Sequence, residues 1–164
     1  MGDEETEMRV LGIDPGIANV GFGCIETRNR SVIISGTLTT SSRRTTAHRI
    51  YSVARRIEHL IQALGPDVVV IEEFIPFRNR KNMTMIDKAC GAIIYVAMRS
   101  SAEVCVVRPN IWMRKTLRLG RRDHLSKLTI MRYVEKQLNV KVRAEHEADA
   151  LGMALYGGRY FYRG

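Results

Sequence analysis

The sequence predicts an α/β fold in which five strands form one mixed sheet, three antiparallel and then two parallel, with helices on both faces. Three observations predict it. Three short β-rich segments fill the first 39 residues with only brief polar turns between them. Helix-like and strand-like periods alternate after that. One of the later strands, residues 67–72 (DVVVIE), is a continuous apolar run, as a strand covered on both sides requires. At 164 residues the chain can bury one core without staples, and no linker, internal repeat or low-complexity stretch divides it.

Residues 1–7 are acidic and are expected to be a short disordered tail, leaving residues 8–164 as the single domain. Residues 8–13 (MRVLGI) are short, apolar and β-branched, and Asp14-Pro15-Gly16 closes them with a turn. Residues 20–26 and Ser31–Thr39 are two more short strands, and the polar connection between them predicts an antiparallel hairpin. Residues 45–64 place Ala47, Ile50, Tyr51, Ala54, Ile57, Leu60 and Ile61 at three-and-four spacing, an amphipathic helix stopped by Gly65-Pro66. The 67–72 strand follows, then a helix over 84–99 and a strand over Glu103–Val107. Helices over Pro109–Leu117, 124–138 and 145–156 complete the chain. Right-handed crossovers would set the fourth and fifth strands beside the first and parallel to it.

The formal charge is +9, and it is uneven. Asp3, Glu4, Glu5 and Glu7 crowd into the first eight residues, so the rest carries 26 bases against 13 acids. A domain so basic is expected to keep company with a polyanion, nucleic acid first. Cys24, Cys90 and Cys105 are odd in number, far apart and in apolar surroundings. They predict buried thiols in a reducing compartment rather than disulfides or a zinc site. No secretory h-region and no membrane-length apolar run occurs, so the expected place of work is a cytoplasm.

Acidic residues fall at strand ends. Asp14 closes the first strand, Glu72 and Glu73 the fourth. If these strands are parallel neighbours, their carboxylates meet at the edge where open α/β sheets place ligands. The last helix opens with Glu145, His146, Glu147 and Asp149; His146 and Asp149, three apart, share a helix face, as do Glu145 and Asp149. Crowded carboxylates repel unless a cation neutralises them, and oxygen ligands suit Mg²⁺ or Mn²⁺. An acidic metal pocket in a basic protein suits phosphodiester cleavage.

These residues resemble a known family, the RuvC Holliday junction resolvases of the ribonuclease H-like superfamily. LGIDPGIANVGFG is similar to the family's first-strand motif, VVVIEE to its second acidic motif, KACGAI to its glycine-containing dimer helix, and EHEADALGMAL to its closing motif, together spanning roughly residues 8–157. A phage or other divergent member fits as well. The resemblance implies Asp14, Glu72, His146 and Asp149 as the catalytic and metal-binding set, with Glu73, Glu145 and Glu147 ranked behind. His146 departs from the Asp that many members carry, so it is a candidate metal ligand and equally a candidate contact of the nucleophilic water or scissile phosphate. The implied chemistry is in-line attack by a water activated between two Mg²⁺ ions about 4 Å apart, Mn²⁺ substituting, with a 5′-phosphate product.

The resemblance also implies branched, four-way DNA and a second copy of the chain as partners, and it admits a branch-migration helicase. The segment after the second acid, with Phe74, Phe77, Arg78, Arg80 and Lys81, is expected to be a loop approaching the junction, Ile75 standing at the family's matching position. A second basic stretch holds Lys115, Arg121, Arg122 and Lys127 where the family binds phosphates. The implied compartment is the nucleoid, or a host's cytoplasm for a viral member. Rival readings are a ribonuclease H-like nuclease with broader taste for branched DNA, a non-catalytic junction- or RNA-binding protein of the same fold, and a sugar-kinase-like ATPase. The last lacks its second domain and phosphate loops.

Overall fold

Alternation of apolar side chains along the first and fourth strands sets the architecture. The computed structural model describes residues 7–75, 80–118 and 126–161, with residues 80–82 described by backbone alone. The strands are β1 (Arg9–Asp14), β2 (Asn19–Glu26), β3 (Ser31–Thr39), β4 (Val68–Glu72) and β5 (Glu103–Val107). The helices are α1 (Thr46–Leu64), α2 (Arg80–Met98), α3 (Pro109–Leu117), α4 (Lys127–Leu138) and α5 (Glu145–Tyr160). Strand order is β3-β2-β1-β4-β5. β1 pairs antiparallel with β2 and parallel with β4, and β4 pairs parallel with β5, so the expected meander and crossovers are both present.

Because successive side chains point to opposite faces, each strand feeds two cores. Val10, Val68 and Val70 pack on one face with α3, α4 and α5, while Leu11, Ile13, Val69 and Ile71 pack on the other with α1 and α2. α5 is buried from Glu147 to Gly157, which a helix apolar nearly all round requires. It comes so close to the sheet that a Cβ on Gly12 would strike the Ala150 backbone, and one on Gly21 would strike that of His146. The glycine-spaced first strands therefore seat the opening turn of α5 directly over the end of β1.

Several expectations need correction. α2 begins at Arg80, not residue 84, so Arg80 and Lys81 lie in its first turn and not in a loop; both types are good helix formers. α4 begins at Lys127, not residue 124, because the Ser126 side chain caps it by accepting from the Thr129 N–H. α5 runs past residue 156 to Tyr160 through Gly157 and Gly158, glycines that end no helix; a Cβ at Gly157 would press on Val10 and Val70. On α1, Val53, Ile57 and Ile61 are buried, whereas Ala47 and Tyr51 face outward. Cys24 and Cys90 are buried as expected, but Cys105, on the edge strand β5, is only partly so. The expected acidic tail lies outside the described residues except Glu7. Among the described residues no helix is long and apolar enough to cross a membrane.

Candidate active site

The parallel pairing of β1 and β4 brings their carboxyl ends side by side, and α5 closes over them. Asp14, 6% exposed, ends β1; Glu72, half-buried, ends β4; Asp149, 8% exposed, faces the sheet from the first turns of α5. His146 reaches in from the same face of α5, its Nδ1 lying 2.6 Å from Asp14 Oδ2. Four expected residues from three elements thus meet.

Their charges are strongly coupled. Burial, then the Asp14 carboxylate, pushes Glu72 up to about 8, against the lowering effect of a hydrogen bond from Trp112. Burial and Asp14 likewise push Asp149 up to about 7, with Lys127 and His146 pulling the other way. The hydrogen bond to Asp14 raises His146 above its ordinary value. A carboxylate that is costly to ionise beside other carboxylates is stabilised by a cation.

Among the described residues no three His, Cys, Asp or Glu side chains already stand close enough to cage an ion. Two of the acids are tethered separately, Asp14 by His146 and Glu72 by Trp112. The donor chemistry, three carboxylates and one imidazole, fits a divalent cation such as Mg²⁺ or Mn²⁺.

The runner-up acids separate cleanly. Glu147 is buried and fully engaged elsewhere: Ser35 Oγ donates to its Oε1 at 2.7 Å, and the Arg143 N–H to its Oε2 at 2.8 Å, much as a capping box would arrange. It fastens α5 to β3 and does not join the set. Glu73 accepts from Arg108 Nε at 3.0 Å at the rim. Glu145 is exposed and takes the Lys127 ammonium at 2.5 Å. Lys127 thereby overhangs the site, its own pKa raised by Glu145 first and by Asp149 and Asp14 as well.

Of the expected DNA-contacting residues, Phe74 is half-buried and Lys115 is exposed, its ammonium 4.4 Å above the Tyr160 ring. Phe77, Arg78, Arg121 and Arg122 lie outside the described residues, and Arg80 and Lys81 are described by backbone only. Sequence reasoning missed Trp112 altogether. It is fully buried, and its Nε1 donates to Glu72 Oε2 at 2.6 Å.

A five-stranded mixed sheet whose adjacent strand tips and overlying helix converge carboxylates defines a ribonuclease H-like protein with a candidate metal-dependent hydrolytic site. Over residues 10–156 the chain matches the family model "Crossover junction endodeoxyribonuclease RuvC". It belongs to that family, whose nucleases depend on a metal in general. It is 32% identical over 154 residues to the crossover junction endodeoxyribonuclease RuvC of Synechococcus sp. (strain WH7803), covering 92% of this chain and 97% of the other. To that of Caldanaerobacter subterraneus subsp. tengcongensis it is 33% identical over 152 residues, 90% of each. Among solved structures, T. thermophilus RuvC in complex with a Holliday junction substrate superposes with a TM-score of 0.82 at 24% identity over 96% of each chain. The yeast mitochondrial Holliday junction resolvase Ydc2 gives 0.66 at 14% identity, over 93% of this chain and 78% of that one. Both of these likenesses speak to fold.

Proposed function

We propose that this chain is a structure-selective DNA endonuclease that resolves four-way junctions by paired, metal-dependent phosphodiester hydrolysis. The observation that carries this reading is the convergence of Asp14, Glu72, His146 and Asp149 from β1, β4 and α5. These residues would hold a pair of Mg²⁺ ions, Mn²⁺ substituting. When bound, such ions supply an activated water and neutralise charge at the scissile phosphate and leaving oxygen. The protein's own contributions are distinct. Asp14 and Glu72 sit on rigid strand ends; His146 stands beside Asp14, able to exchange a proton at Nδ1 or ligate; Lys127 hangs over the carboxylates, placed to trade Glu145 for a backbone phosphate. Phe74, Ile75 and Phe77, with Arg78, Arg80 and Lys81, follow the second acid and would meet the branch point; Lys115, Arg121 and Arg122 would track the arms.

Paired nicking calls for two equivalent sites, which a two-fold homodimer supplies. The outer face of α1 and α2 supports it. Tyr51, Tyr95 and Met98 are 62%, 63% and 64% exposed there, beside a groove of about 330 Å³ whose lining mixes Ala54, Ala92 and Val96 with Arg55, Glu58 and Arg99. Gly91 lies on the same stripe as Tyr95 and Met98, and a Cβ there would meet nothing among the described residues. A glycine inside a helix costs about 1 kcal/mol relative to alanine, and close approach of a second copy would account for it. The nucleoid, or a viral host's cytoplasm, is the matching compartment, and a branch-migration helicase the matching further partner.

The test is symmetrical nicking of a synthetic mobile four-way junction with and without Mg²⁺, alongside Y-shaped and plain duplex DNA. Cleavage should require the metal and favour the four-way substrate, and Asp14→Asn should lose cleavage while still shifting the junction in a gel. Equal cutting of all three substrates would replace this reading with a broader branched-DNA nuclease.

A further inference from the structure

We infer that Trp112 is a positioning residue for Glu72: its indole N–H holds one carboxylate oxygen at a fixed place and leaves the other oxygen to a cation. The inference rests on the proposed role of Glu72 as a metal ligand. Trp112 is 0% exposed, and its Nε1 lies 2.6 Å from Glu72 Oε2. An indole is well suited to the task because it donates, never accepts, carries no charge and does not titrate. A lysine or arginine there would compete with the metal for the carboxylate; a histidine would make the contact depend on pH.

The ring is held in a purpose-shaped slot. α3, which carries it, starts on Pro109 at its first turn. The ring's far edge meets α5 at Gly152, where a Cβ would stand 2.6 Å from Cζ3. Gly152 is three residues beyond Asp149, on the same side of α5. The indole is therefore wedged between the helix that carries one candidate ligand and the strand tip that carries another. Asp14, by contrast, is tethered by His146, itself a candidate ligand. The competing interpretation is that Glu72 merely satisfies a buried indole donor.

The two interpretations separate when the N–H is removed without changing shape. Replacing Trp112 with β-(3-benzothienyl)alanine puts sulfur where the N–H stands, while 5-fluorotryptophan retains the donor. Mn²⁺ binding to the full chain, read from the EPR signal of the free ion, should weaken about tenfold in the sulfur analogue, within the range for lost support of a metal ligand. The melting temperature should barely move, and the fluorinated protein should bind Mn²⁺ as the unsubstituted one does. Unchanged Mn²⁺ affinity in a folded sulfur analogue overturns the inference. Unchanged affinity in Glu72→Gln overturns the underlying ligand reading instead, so the two failures are distinct. Should the analogue not fold, the native protein still answers, because Trp112 is its single tryptophan. Mg²⁺ should shift Trp112 emission saturably, and Glu72→Gln should remove the shift; no shift on Mg²⁺ saturation overturns the inference.

Discussion

The two faces of the sheet are built from the same alternation of apolar residues, yet they are finished differently. On one face α5 sinks onto glycines in β1 and β2, is roofed by α3 and α4, and buries eleven consecutive residues, Glu147 to Gly157. On the other, α1 and α2 cover the sheet but turn Tyr51, Tyr95 and Met98 outward. The first face holds the candidate ligands Asp14, Glu72, His146 and Asp149 on closely packed elements, the arrangement that precise placement favours. The second carries exposed Tyr51, Tyr95 and Met98 beside the charged side chains of Arg55, Glu58 and Arg99.

The largest effect that would sharpen this contrast is expected at Gly12. Gly12→Ala drives a methyl into the Ala150 and Ala154 backbone, so it should cost about 3 kcal/mol or more in chemical denaturation, at the top of the overpacking range. A loss below about 1 kcal/mol would mean that α5 is not seated as described.

Next comes proton-metal competition at the closed face. Glu72 and Asp149 are raised to about 8 and about 7, so the metal-free folded chain keeps protons that the unfolded chain has released near pH 4. Stability of the metal-free protein should fall as pH climbs between those values. His146, raised by Asp14, acts in the same direction: its contribution is present below its unfolded value and lost as pH rises through the folded one. Metal binding expels the carboxyl protons, so Mn²⁺ affinity should rise about tenfold or more per pH unit from 6 to 8. Calorimetry showing a flat profile would break the coupling.

At the rim, Lys127→Met should weaken junction binding across sequences and lower the slope of log affinity against log salt by about 1. An unchanged slope would remove Lys127 from the phosphate contacts. The smallest effect on folding is expected on the open face. Gly91→Arg, with nothing among the described residues within reach of a Cβ there, should leave the monomer as stable or up to about 1 kcal/mol more stable through helix propensity, while sedimentation shows the dimer lost. A dimer that survives would return α2 to the role of a sheet cover alone.

Most of the fold was legible because its signals are local. The apolar run of β4, the Asp14-Pro15-Gly16 turn and the period of α1 each need only their own neighbours. The meeting of Asp14 and Glu72 was legible because acids at the tips of parallel neighbours have one place to meet. Glu147, ranked behind the set, is held by Ser35 and the Arg143 N–H, and helical phase already points it away from Glu145 and Asp149. Trp112 was invisible for a different reason. Its partner stands 40 positions away, and nothing in its own helix distinguishes a donor to Glu72 from a core aromatic. The expected end of the last helix at residue 156 was short because close packing of Gly157 against Val10 and Val70 carries the helix on.

The placement of His146 and Asp149 on α5 has a consequence for synthesis. The contact that joins Asp14 to His146 spans 132 positions, and α5 emerges after every other part of the site. At translation rates of about 5–20 residues per second, the growing chain presents its first two acids seconds before the others exist. Throughout that interval the nascent polypeptide holds half of the candidate ligand set, and one sheet face waits for the helix that covers it.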